Sequence, residues 1–282
     1  MTPKEIALHL RFPFSLFLMP IFWLAISQQT NGDFSTNVFI YPASNAYNSY
    51  FDKDEGSIGG LKNPPKVDIY LWRAANIFDI LGLFIAFLGV NIWFAFFVLL
   101  YILVSRMYSY TGIRLKKYAI LSWLIVGLFQ GALVFFMVLV FGQNLNPSEI
   151  FHLKNPENQT AMLGLLLSAL ILWAVYPITQ VYQHEEDSRN GDKTMSLLLG
   201  IKGTFIFSIS LFSLAIFTAF FFLSINDFYR FLGFCAPIAL FMNWWFLQVI
   251  KNPASANFKY TMILNLLSSV LLNICFIINA LN

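Results

Sequence analysis

YAILSWLIVGLFQGALVFFMVLVF, residues 118–141, runs for 24 positions without a charged side chain. An α-helix needs roughly 20 apolar residues to cross a hydrocarbon core about 30 Å thick. A strand buried in a soluble core is far shorter than this run. The stretch therefore reads as a membrane-spanning helix. Eight further apolar runs flank it, at about 12–27, 35–51, 70–90, 92–108, 160–182, 198–223, 229–249 and 260–281. The expectation is an all-α, polytopic membrane bundle of about nine transmembrane helices, with residues 1–282 as a single domain.

Composition agrees. Of the 282 residues, 58% are hydrophobic and 11% charged, and the mean hydropathy is +0.68. Soluble domains carry about 45–50% apolar and about 25% charged residues. A soluble enzyme, a disordered chain and a disulfide-stapled secreted domain are all excluded. Cys235 and Cys275 lie inside apolar runs and read as packing residues. No basic stripe of the kind that binds nucleic acid is present.

Charge placement orients the bundle. With the N-terminus cytoplasmic, Lys4, Arg11, Lys53, Lys62, Lys66, Arg106, Arg114, Lys116, Lys117, Arg189, Lys193, Lys202, Lys251 and Lys259 gather on the cytoplasmic side. Only Lys154 and Arg230 fall outside. Cytoplasmic loops carry the excess of Lys and Arg, so the reverse topology is rejected. The expected location is a membrane of the bacterial inner (cytoplasmic) type.

The second run, STNVFIYPASNAYNSYF, is the most polar of the nine. Such a helix persists in lipid only if its polar face looks into the bundle or a wet cavity. Half of the 14 acidic residues cluster in two segments on the same predicted face. The first, residues 45–66, holds Asp52, Asp54 and Glu55. The second, residues 182–200, holds Glu185, Glu186, Asp187 and Asp192. Asn48, Asp52 and Glu55 stand at i, i+4 and i+7, and Gln183, Glu186, Asp187 and Asn190 at i, i+3, i+4 and i+7. Each set shares one helical face. Two oxygen-rich faces at one membrane surface suit a hard divalent cation completed by phosphate oxygens. A solvated loop is the bland alternative for either cluster taken alone.

Three segments resemble the UbiA-type intramembrane prenyltransferases: Asn48-SYF-Asp52, then Glu185-Glu186-Asp187 with Gly191-Asp-Lys-Thr194, and Tyr108-SYTGIRLK-Lys117. The resemblance spans nearly the whole chain. It implies nine helices around a central cavity, Mg²⁺ as cofactor, and an isoprenyl diphosphate that alkylates an acceptor, usually an aromatic or quinone precursor, within the membrane. It implies Asp52 and Asp187 as catalytic residues. Asp52, Glu55, Glu186 and Asp187 are the implied metal ligands. Asn48, Gln183, Lys62, Lys116 and Lys117 are the implied substrate contacts. Departures from the family pattern are Ser49, Gly56, Ile58 and Gln183, each at a position that is acidic in many members. Asp54 or Glu55 then stands in for a lost ligand. Asp79, the carboxylate near the middle of a span, reads either as a substrate contact or as half of an interhelical ion pair. Two other readings compete with prenyl transfer. One is a diverged member with reduced or different isoprenoid chemistry. The other is a small-molecule transporter, which should carry its charges at depth.

Overall fold

The computed structural model describes residues 1–28, 37–53, 56–143 and 156–281, so Asp54 and Glu55 lie outside the described residues. Every regular element among the described residues is helical. Among the described residues seven helices are long and apolar enough to cross a membrane, with the following bounds. They are Ile69–Gly89 (α5), Ile92–Ser109 (α6), Ala119–Gly142, Gln159–Ile178 (within α9, Pro156–Ile178), Met195–Phe222 (α11), Ile225–Lys251 (α12) and Phe258–Leu281 (α13). The N-terminal helices α1 (Pro3–Leu10), α2 (Phe12–Ser15) and α3 (Met19–Ile26) make an eighth if the bent path is one span. The second run forms α4, Asn37–Asp52, whose 16 residues are too few to meet the same measure. Among the described residues seven or eight spans thus qualify, and the expected nine is not confirmed.

Local chemistry sets the breaks. Thr2 and Glu5 form a capping box at the start of α1, and Pro3, Pro13 and Pro20 each occupy the first turn of a short helix. Proline fits there because the first N–H groups have no helical partner. Further along, Asp68 caps α5 through the Tyr70 N–H at 2.9 Å, and Asn91 caps α6 through the Phe94 N–H at 2.9 Å.

The helix Ala119–Gly142 is interrupted by a π segment at Val126–Ala132, between α7 (Ala119–Ile125) and α8 (Leu133–Gly142). It packs on α9 so closely that a Cβ on Gly131 would lie 2.6 Å from the Ser168 backbone oxygen. Short α10 (His184–Arg189) follows α9 outside the spans. Large apolar side chains such as Ile80, Leu88, Trp93 and Leu240 are exposed, at 60% or more. So much bare apolar surface is stable only in a hydrocarbon solvent. The protein is an integral membrane protein.

Candidate active site

A cavity of about 310 Å³ opens at one end of the bundle. That is near the lower end of ligand pockets, roughly 300–1,000 Å³. Its mouth is built from three segments far apart in sequence.

The last turn of α4 brings Asn48 and Asp52 to the cavity wall. They reach it together because four residues make one helical turn. Asn48 Oδ1 accepts a hydrogen bond from Ser109 Oγ at 2.8 Å. Asp52 is nearly sealed from solvent, its side chain 3% exposed.

The second wall is the segment around α10. Gln183, Glu186, Asp187 and Asp192 all line the cavity. Gln183 Nε2 donates to the Ser57 carbonyl at 3.4 Å, and Glu186 Oε1 accepts from the Gly56 N–H at 3.2 Å. A Cβ on residue 56 would come within 2.6 Å of Glu186 Oε2. The Gly56 backbone N–H thus meets the other acidic segment directly. Asp187 Oδ2 accepts from Thr194 Oγ1 at 3.3 Å.

The third segment follows α6. The Lys193 N–H donates to the Lys117 carbonyl at 3.1 Å, which clasps this loop to the second wall. Lys116 Nζ stands 2.6 Å from Asp52 Oδ1 and 3.3 Å from Asp192 Oδ2. Arg114 grips Asp192 with two bonds, at 2.8 and 2.9 Å. Burial pushes the Asp192 carboxyl up, but the Arg114 bonds and the Lys116 charge outweigh it and hold the group below the usual carboxylate range. Burial also pushes Lys116 down. The charges of Asp52 and Asp192 prevail and leave its pKa raised.

Below the mouth the lining turns apolar and aromatic, with Phe17, Phe129, Ile171, Val175 and Leu272. The π segment contributes Val126, Phe129 and Gln130 to it. Single-turn π segments inside α-helices recur at functional sites. Tyr108 and Tyr176 share a hydrogen bond between their hydroxyls on the cavity wall.

The family model for UbiA prenyltransferases matches residues 7–267. The chain belongs to the UbiA prenyltransferase family. Among solved structures, a UbiA homologue from Archaeoglobus fulgidus bound to DMAPP and Mg²⁺ is similar, with TM-score 0.66 and 14% identity over 97% of this chain and 99% of the other. A UbiA homologue from Aeropyrum pernix K1, in its apo form, gives TM-score 0.65 and 17% identity over 95% and 98%. A digeranylgeranylglyceryl phosphate synthase gives TM-score 0.59 and 19% identity over 98% of both chains. The search of curated proteins gives no match.

On the UbiA fold, the residues singled out in the sequence divide. Asn48, Asp52, Lys116, Gln183, Glu186 and Asp187 meet at one cavity mouth. Lys117 and Lys62 do not line it: Lys117 stands over the Tyr118 ring at 5.0 Å, and the Lys62 carbonyl accepts from Ser57 Oγ at 2.9 Å. Asp79 also lies off the cavity, where it pairs with Arg106, whose guanidinium stacks 3.6 Å from the Tyr47 ring centroid. The structure thus shows the interhelical ion pair for Asp79, with Arg106 as its partner. Arg114, Ser109 and the Tyr108–Tyr176 pair were not singled out in the sequence. Asp192 was counted only as one acid of a cluster. Their signal is spatial, since the partners lie 61 to 78 positions apart.

The Asp79–Arg106 pair supports a prediction. Removing one partner of a buried ion pair costs about 3–5 kcal/mol, because the other charge is stranded. Asp79→Ala is expected to lower thermal stability in detergent by that order, and Asp79→Leu with Arg106→Met to recover most of it. Diphosphate affinity of the folded fraction is expected to stay unchanged.

Proposed function

We propose that the chain transfers an isoprenyl group from an isoprenyl diphosphate to an acceptor inside the membrane. The observation that carries this is the meeting of Asn48 and Asp52 with Glu186 and Asp187, beside Lys116, over an apolar aromatic cavity. The bond from the allylic carbon to oxygen breaks, and the diphosphate leaves with the electron pair. The acceptor attacks the allylic cation and then loses a proton. Lys116 supplies positive charge at the mouth, where the diphosphate becomes more negative as it leaves. Tyr108, Tyr176 and Phe129 offer π faces to the cation. The apolar lower wall keeps water from intercepting it.

The donor set fits one Mg²⁺ completed by substrate. Mg²⁺ binds through one or two carboxylates plus phosphate oxygens rather than in an all-protein cage. Among the described residues no group of three His, Cys, Asp or Glu could hold a metal alone. Asp52, Glu186 and Asp187 are the oxygen donors from which one or two would come. When bound, the ion neutralises the leaving diphosphate. The Mg²⁺- and DMAPP-bound homologue supports this reading. The same proposal places the mouth at the cytoplasmic face of a bacterial inner membrane, on the positive-inside bias.

The test uses the chain in nanodiscs with radiolabelled farnesyl or geranylgeranyl diphosphate, Mg²⁺ and a panel of aromatic, quinone-precursor and lipid-alcohol acceptors. Prenylated product that vanishes with EDTA is expected. The second reading is a diverged member that binds isoprenoids without transfer. It is favoured by Ser49 and Gln183 at family acidic positions. Tight diphosphate binding without product across the panel would establish it.

A further inference from the structure

The lysine at the cavity mouth has an unusual position. Its ammonium lies between two carboxylates, 2.6 Å from Asp52 and 3.3 Å from Asp192. Both are almost fully buried, with side chains 3% and 2% exposed. The two acids are held differently. Asp192 is fixed by the Arg114 fork at 2.8 and 2.9 Å, and its backbone N–H bonds the Asp187 carbonyl at 2.9 Å. A guanidinium fork fixes a carboxylate in a plane, whereas an ammonium is a point charge on a flexible stem with three donors. The backbone on either side of Lys116 is also pinned. Arg114 N donates to the Tyr110 carbonyl at 2.6 Å, and the Lys117 carbonyl takes the Lys193 N–H. These bonds hold the backbone beside Lys116 and leave its long side chain free of backbone restraint.

We propose that Lys116 is an exchangeable counter-ion of Asp52, and that Asp192 is the positioning residue that keeps it at the mouth when it leaves. This rests on the diphosphate reading above and goes beyond it. With no diphosphate present, the ammonium occupies Asp52, and a divalent cation must displace a buried charge to reach that carboxylate. An arriving diphosphate gives Lys116 a third anion to face, beside the two carboxylates, and Asp52 is released. Cation and diphosphate affinities are then coupled, each raising the other by the same factor. Asp192, already bound by Arg114, does not follow Lys116 away.

The experiment measures Mn²⁺ binding to the full chain in nanodiscs by the EPR signal of free Mn²⁺, with no diphosphate added. Lys116→Met is expected to bind Mn²⁺ at least about tenfold more tightly than the unaltered chain. Lys116→Gln is expected to move the same way, and it serves if the methionine variant does not fold. Asp192→Asn commits Lys116 to Asp52. It is expected to weaken Mn²⁺ binding and to raise KM for farnesyl diphosphate by about fivefold or more, with kcat changed less. Asp192→Glu is expected to restore both. Loss of structure alone cannot make a variant bind metal more tightly. Lysine variants that fold and bind Mn²⁺ no better than the unaltered chain would overturn the proposal. The metal arm contains no isoprenoid, so the two readings fail separately. A gain of Mn²⁺ affinity without prenyl product overturns the transferase reading alone. Product without that gain overturns the counter-ion alone.

Discussion

Asp52→Asn is expected to lower prenyl transfer at least about a hundredfold, the order seen when one preorganised electrostatic group is removed from an active site. The volume barely changes, so the effect isolates charge. Asp52 sits at the end of α4, nearly sealed, with its carboxylate on Lys116. Neutralising it removes a metal ligand of the proposed site and leaves the ammonium to Asp192 alone. The fall should lie in kcat/KM, and Asp187→Asn on the opposite wall should behave alike. Steady-state product formation with saturating acceptor checks both. Because Lys116 retains Asp192, the folded fraction is expected to survive. A variant that loses activity only through unfolding would show as a drop in monodisperse protein on gel filtration.

Gly131→Leu is expected to destroy the fold outright. A Cβ there meets the Ser168 carbonyl oxygen at 2.6 Å and its carbon at 2.9 Å. These are backbone atoms of α9, and no rotamer change relieves them. Overpacking a close-packed interior costs about 1–3 kcal/mol when side chains can yield. Here the helices themselves must separate, so the loss should exceed about 3 kcal/mol. The π segment that carries Gln130 and Phe129 into the cavity would shift with it. Gly233→Ala is the control, since nothing lies within 4 Å of a Cβ there. Thermal unfolding in detergent should show a collapse for the first and no loss for the second.

The membrane bundle was legible because lipid imposes one rule on every span: a long apolar run with its backbone bonds closed internally. The polar α4 was legible for the converse reason. A helix carrying Ser44, Asn45, Asn48 and Asp52 needs a polar neighbour, and the cavity supplies it. The spacing of Asn48 to Asp52 and of Gln183 to Asp187 gave the two walls, because helical period alone puts such residues on one face.

The partners of Asp79 and Asp192 were not legible. Which cation meets a buried carboxylate depends on how α5 packs on α6, and on how the loop after α6 meets the segment after α10. Neither is encoded in local periodicity. Nothing close to Asp79 in sequence marks its partner, which is Arg106 on the next helix. The span count is the exception: among the described residues seven helices meet the measure, or eight if the N-terminal pair bent by 40° is one span, and the expected nine is not confirmed.

The central claim is that residues 48–52 and 183–187 grip one ligand between them. A double-mutant cycle tests it: affinity for unreactive farnesyl thiodiphosphate with Mg²⁺ in the unaltered chain, Asp52→Asn, Asp187→Asn and the double variant. Groups that serve one ligand are coupled, typically by about 0.5–3 kcal/mol. The expected result is that each single variant weakens binding and the double variant loses clearly less than their sum. Fully additive losses, or an affinity untouched by either change, would contradict it.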